Sequence, residues 1–204
     1  KYAAGLLERQ VPDAALRANL MPTYAPGCKR LLVSNDWYPA LQRPNVELLA
    51  EPVARLEGRR IVGVSGATRD VDVVVFATGF IATEFVAPVK VHGRGGVELG
   101  ALWKNGAASH LGISVAGFPN AFFLVGPNTG LGHNSIIFMI EAQMNYILGA
   151  LKTGASVLEL LPQVQSRSYD AVQRRMKKTV WASGCRSWYL SADGLNDTLW
   201  PGST

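Results

Sequence analysis

Long hydrophobic runs are missing from this sequence. A membrane-spanning helix needs roughly 20 apolar residues in a row, and the best candidate, residues 136–151, is broken by Glu141, Gln143 and Asn145. No transmembrane segment is therefore expected. No signal peptide is legible either, and the first residue is Lys1 rather than Met, which reads as a piece of something longer. Cysteine is scarce: Cys28 and Cys185 stand far apart and form no CxxC pair. A zinc site or redox dithiol is not expected, and a reduced, cytoplasmic setting is the default. Histidine is scarce too. His92 and His110 lack partners at metal-ligand spacing, so no metal is expected. His133 adjoins Asn134 and Ser135, but there is no GxSxG elbow and no acid placed to orient it, which argues against a hydrolase. Acidic side chains are in the minority, 15 against 20 basic ones, giving a net charge of +5. That balance permits nucleic-acid or membrane contact and equally suits an enzyme holding anionic cofactors. The densest cationic run, RRMKK at 174–178, falls on an amphipathic helix and reads as a solvated face, so no nucleic-acid partner is expected.

Apolar residues make up 48% of the chain, enough for a sizeable core in one or two domains. With 21 Gly and 11 Pro, the chain turns often. Asp13 is placed to cap a short helix over 14–20. A Pro/Gly-rich connector, LMPTYAPGCKR, leads to short strands at 30–34 and 46–49. A meander of three strands follows, with turns at 57–58 and 66–67. Its last member, residues 71–77, is almost all β-branched and apolar, the pattern of a strand buried on both faces. Gly93, Gly95 and Gly96 cluster without a helix signal behind them and read as a turn. Residues 121–125 read as a second buried strand. A helix then starts at Asn134 or Ser135, with Ile136, Ile140, Met144, Ile147 and Leu151 on one apolar face. A second amphipathic helix is expected over 166–180, with Tyr169, Val172, Met176 and Val180 on one side. Trp181, Trp188, Tyr189 and Trp200 are expected to pack the C-terminal loop.

One stretch combines these signals: GFPNAFFLVGPNTGLGHNS, residues 117–135, runs from strand through glycine-rich turn to helix. In doubly wound folds, ligands sit beyond the carboxyl ends of strands. Glycines let a flat or anionic group approach the backbone, and the helix N-terminus offers N–H groups and partial positive charge. The stretch fits a site for a phosphate or an electron-rich ring edge. It fits an ordinary tight turn as well.

Three segments resemble known proteins. DVDVVVFATGF, residues 70–80, resembles the ATG-type motif of flavin- and NADPH-dependent oxygenases with two dinucleotide-binding domains. FPNAFFLVGPNTGLGHNSIIFMIEAQ, residues 118–143, looks like the C-terminal FAD-domain segment of the same group. PGCKRLLVSNDWYPALQRPNVELL, residues 26–49, is similar to a segment of type I Baeyer–Villiger monooxygenases. The resemblance implies an α/β fold, the C-terminal part of a Rossmann-like flavoprotein. Residues 1–80 would end the NADPH-binding domain, with 1–25 a helical insert remnant, and 81–204 would be the C-terminal half of the FAD-binding domain. The family's two GxGxxG loops and its FxGxxxHxxxW-type fingerprint are absent here. The missing N-terminal part of the same enzyme is thus an implied partner.

The resemblance also assigns roles. The first cation of the Lys–Arg pair, here Lys29, would select NADPH through its 2′-phosphate. The second, Arg30, would lie beside flavin and nicotinamide and stabilise the anionic oxygen species that attacks a ketone. Thr78 and Gly79 would form a hinge between the nucleotide domains and approach cofactor closely. Gly126, Pro127, Asn128, Gly132, Asn134 and Ser135 would face the flavin. The implied cofactors are FAD and NADPH, and the implied substrates a small ketone and O2, giving an ester or lactone. Two other readings stay open: a related flavin oxygenase acting on nitrogen or sulfur, and a truncated remnant with no catalysis of its own.

Overall fold

The computed structural model describes residues 2–132, 134–184, 187–191 and 193–202. The chain divides into two compact units, Lys1–Thr23 with Leu32–Gly79, and Tyr24–Leu31 with Phe80–Thr204. The connector segment that carries the Lys–Arg pair packs with the second unit.

In the first unit, helix α1 (Tyr2–Gln10) precedes α2 (Ala14–Leu20), whose start is fixed as expected by the Asp13 side chain accepting from the Leu16 N–H at 2.7 Å. A short helix, α3 (Trp37–Leu41), contacts α1. The meander follows as an antiparallel sheet in the order β1 (Val53–Glu57), β2 (Arg60–Gly63), β3 (Thr68–Asp70). Its register pairs Leu56 with Ile61 and Ile61 with Arg69. Gly58 and Gly66, at φ 57° and 88°, make the two turns that join the strands.

The third strand differs from expectation. It spans Thr68–Asp70, and residues 71–77 form no strand: Val73, Val75 and Phe76 are 72–83% exposed. A strand buried on both faces needs neighbours on both edges, and the described residues supply none. The strands expected at 30–34 and 46–49 are absent for the same reason.

The second unit is built on two small cores. One joins Leu99, Trp103, Ala107, Val115 and Phe118, with Phe85 edge-on and Phe123 tilted against Trp103. Leu99 opens the short helix α4 (Leu99–Leu102). The other joins Met176, Tyr189 and Leu199, with Trp181 against them. The aromatic tail thus packs as expected, apart from Trp188, which is 56% exposed. Gly93–Gly96 is a turn, pinned by the Gly93 N–H to the Val97 carbonyl and by a bidentate Arg94–Glu159 pair. Helix α5 (Ile136–Leu151) starts from the cap Ser135, whose Oγ accepts from the Ile137 N–H. Helix α6 (Pro162–Met176) starts and ends earlier than expected, because proline at the first turn is pre-set for a helical start. Val172 and Met176 are its buried residues, and the cations of the RRMKK run are exposed.

Two expectations need correction here. Residues 121–125 are irregular: Val125 takes φ 57°, and Leu124 is 45% exposed. A left-handed residue breaks an extended strand. The apolar face expected on α5 holds only in part: Ile136, Ile140 and Ile147 are half-buried, Met144 and Leu151 are exposed, and the buried side chain on that face is Gln143. Cys28 is fully buried and is not a free thiol, contrary to the reduced default. No helix among the described residues is long and apolar enough to cross a membrane.

Candidate functional site

Arg30 supplies the first element of a site. Its Nη1 donates to the carbonyl of Leu131 at 3.0 Å, joining the connector to the glycine-rich turn across a large sequence separation. Trp181 holds the same segment, since its indole N–H donates to the Gly27 carbonyl at 3.1 Å. Arg30 is exposed. One of its five N–H donors is spent on Leu131. Lys29 turns elsewhere. Its Nζ lies 4.5 Å from the Tyr24 ring centroid, a cation–π contact worth about 0.5–1 kcal/mol at an exposed position. The two cations thus have separate surroundings.

The turn divides into a buried half and an open half. Gly126 is buried, and a Cβ there would collide with the carbonyl of Gly112, to which the Gly126 N–H donates at 3.2 Å. Pro127 is fully buried. Asn128, at φ 58° and 6% exposed, spends its side chain inward: Nδ2 donates to the carbonyls of Asn196 at 2.9 Å and Leu199 at 3.0 Å. Thr129 closes this half by donating to the Gly126 carbonyl at 2.6 Å. Gly132 is different. Its φ is ordinary, and a Cβ there would meet Trp181 only at a normal 3.6 Å. Neither a positive φ nor packing among the described residues demands glycine at this position. Asn134 accepts from the Ser135 N–H at 2.8 Å, and Ser135 caps α5. His133 lies outside the described residues.

The open half therefore ends at the N-terminus of a 16-residue helix, which carries roughly half a positive charge. Arg30 adds a full one where it is held, at the Leu131 carbonyl of the same turn. An exposed guanidinium, a helix N-terminus and an unencumbered glycine on one turn suit a flat group whose edge is electron-rich or anionic. Thr78 and Gly79 end the first unit. Both are exposed, and Gly79 takes φ 84° with open space where a side chain would stand.

Beneath the turn lies a buried polar layer. Asp197 is 2% exposed; its Oδ2 accepts from the Ala107 N–H at 2.8 Å, while burial pushes the carboxyl above its usual range. Gln143 from α5 accepts from the Val125 N–H at 2.9 Å and donates to the Leu111 carbonyl at 3.1 Å. His110 is held below its usual pKa by burial. Among the described residues no three His, Cys, Asp or Glu side chains gather as metal ligands. A separate cavity of about 500 Å³, lined by Phe85, Lys90, Trp103 and Lys104 among others, shares no residue with the turn.

No protein-family model matches the chain. Whole sequences do. A Baeyer–Villiger monooxygenase of Streptomyces coelicolor is 43% identical over 200 residues, covering 95% of this chain and 38% of that protein. Another, of Pseudomonas aeruginosa, is 43% identical over 204 residues, covering 97% and 39%. The chain is related to the Baeyer–Villiger monooxygenases. An Aspergillus niger protein named FAD-binding monooxygenase ktnD is 38% identical, covering 96% of this chain and 34% of that one. Among solved structures, an oxidised steroid monooxygenase bound to NADP superposes with a TM-score of 0.82 at 28% identity, over 98% of this chain and 39% of that one. OTEMO in complex with FAD and NADP gives 0.88 at 24% identity, over 100% and 39%, and shows the shared fold. The fold is the α/β, Rossmann-like fold of these flavoprotein monooxygenases, in part: the chain spans about two fifths of the length of the relatives named.

For the Baeyer–Villiger relationship, the polar layer is what sequence reasoning missed. Gln143 carried a signal, since it lies one turn from both Ile140 and Ile147 on the helix face read as apolar. Asn196 and Asp197 carried none, because a polar pair in a glycine-rich tail reads as surface.

Proposed function

We propose that this chain forms part of an FAD- and NADPH-dependent monooxygenase that inserts one oxygen atom from O2 next to a ketone carbonyl, giving an ester or lactone. The observation that carries the proposal is the Arg30–Leu131 hydrogen bond, which holds a permanent cation on the turn that leads into α5. FAD, when bound, supplies the redox chemistry with NADPH and O2. The chain's own residues supply charge and shape. Arg30 stabilises negative charge that develops on oxygen next to the carbonyl, and such pre-set cations are worth most where water is excluded. Gly132, Asn134 and Ser135 let the ring edge approach the backbone and the helix N-terminus. Gly126, Pro127 and Asn128 hold the curvature of the turn from beneath. Lys29 receives the 2′-phosphate of NADPH as a compact point charge, exchanging its contact with Tyr24. Thr78 and Gly79 offer open backbone to the cofactor at the end of the first unit. The glycine-rich dinucleotide loops come from polypeptide beyond these 204 residues, in keeping with the two-fifths coverage of the relatives.

The test is a hybrid in which this chain replaces the matching segment of the Pseudomonas aeruginosa relative. The hybrid should purify with flavin absorbing near ~450 nm, oxidise NADPH and convert a cyclic or aryl ketone to its ester faster than it oxidises a thioether. A colourless hybrid would remove the flavin reading. A flavin-bound hybrid that oxidises only the thioether would replace the ketone reading with nitrogen or sulfur oxidation.

A further inference from the structure

The C-terminal loop is more polar and more buried than a tail needs to be. Asn196 and Asp197 are 3% and 2% exposed, and the segment runs alongside the glycine-rich turn as a one-residue parallel bridge, Gly130 to Leu199. Three backbone bonds lace the two together. Asn128 N–H donates to the Asp197 carbonyl, Gly130 N–H to Thr198 at 2.9 Å, and Trp200 N–H back to Gly130 at 2.8 Å. The fit is close: a Cβ on Gly130 would stand 2.9 Å from the Thr198 carbonyl oxygen. Side chains add a second layer. Gln173 of α6 donates to Asn128 Oδ1 at 3.3 Å and to the Asn196 carbonyl at 3.2 Å. The Asn196 side chain in turn accepts from the Leu199 N–H at 2.9 Å.

We infer that residues 196–200 are a strap that positions Arg30. The linkage is short. Gln173 and Asn196 fix the strap, the strap fixes Gly130 on both its N–H and its carbonyl, and the next carbonyl along, that of Leu131, holds Arg30. Leu131 is only 5% exposed, so its peptide has little freedom to compensate if Gly130 moves. Gln173 and Asn196 are positioning residues: they set where the guanidinium stands and do not meet substrate. The catalytic meaning of the strap rests on the reading of Arg30 given above, whereas the linkage itself belongs to this chain alone.

The experiment uses the 204-residue chain without flavin. The Arg30 side-chain N–H signal is followed by NMR, with amide exchange at Gly130 and Trp200, in the parent and in Gln173→Glu. That substitution keeps size but replaces the donor amide with a carboxylate that faces two acceptor oxygens. We expect the Arg30 signal to move toward that of free arginine. Exchange at Gly130 and Trp200 should rise about tenfold or more as the strap opens locally, while exchange within β1–β3 stays at parent values. An Arg30 signal unchanged in a folded Gln173→Glu chain would overturn the proposal. Should that variant not fold, the parent decides in a urea titration: Arg30 and Gly130 must lose their signatures together, and an Arg30 signal that outlasts Gly130 protection would overturn it. None of these readouts involves flavin or ketone. A hybrid without flavin would sink the functional reading and leave the strap standing, and an unmoved Arg30 would do the reverse.

Discussion

Gly126 and Gly132 stand on the same turn and are glycine for different reasons. At Gly126 the backbone of Gly112 occupies the space a side chain would take. At Gly132 a side-chain carbon would meet only the Trp181 ring, at an ordinary 3.6 Å. Gly126→Ala should therefore lower stability by about 1–3 kcal/mol in urea denaturation, the range for overpacking a tight site. Gly132→Ala should stay within about 0.5 kcal/mol of the parent and show its effect in the hybrid, as weaker flavin retention. Equal stability losses at the two positions would contradict this division. Asp197 gives a second residue-scale expectation, because burial raises its carboxyl above the ordinary range. The folded state then holds the proton more firmly than the unfolded one. Its contribution is fully present below the ordinary carboxylate pKa and is lost as pH rises through the raised folded value. Asp197→Asn, which keeps an oxygen for the Ala107 N–H, should gain stability relative to the parent as pH is raised from about 4 to 7. A gain that shrinks over that interval would contradict the assignment.

Helix α5 shows how an element can be legible in its extent and its inward face while the residue that anchors it is missed. Its start was written locally, in a serine cap ahead of an apolar repeat at helical spacing, and capping depends on neighbours in sequence. The same holds for α2 behind Asp13. The anchoring residue could not be read that way. Ile136, Ile140, Met144, Ile147 and Leu151 form the apolar row, yet Gln143 is the residue that packs, because the backbone of 111–112 and 125 offers it both a donor and acceptors. Removing such a partner leaves buried backbone groups unsatisfied. Gln143→Leu should cost about 1–3 kcal/mol, and Met144→Ala less, as measured by chemical denaturation. The opposite order would mean that the apolar row, and not the amide, anchors α5. The strands at 71–77 and 121–125 failed for a related reason. Apolar composition states a preference for a buried position, but 71–77 has no pairing strand among the described residues and 121–125 is broken by the left-handed Val125. In the turn, the glycines were legible as a feature. Which of them answered to packing depended on Gly112 and Thr198, and these meet the turn only in three dimensions.

For the whole molecule, two units and a match to two fifths of longer relatives go together with the exposed apolar segments. Leu32, Val33, Val73, Val75 and Phe76 are 72–99% exposed and lie in segments that form no strand here. Arg30 and the turn that leads to α5 are already joined within the second unit, so the charge arrangement does not wait for that polypeptide. What the account claims above all is that this cation serves oxygen insertion. The direct measurement is ester formation by the hybrid carrying Arg30→Ala, beside anaerobic flavin reduction by NADPH in the same preparation. Ester formation should fall by about 100-fold or more while flavin reduction remains measurable. Ester formed at the parent rate would contradict the account.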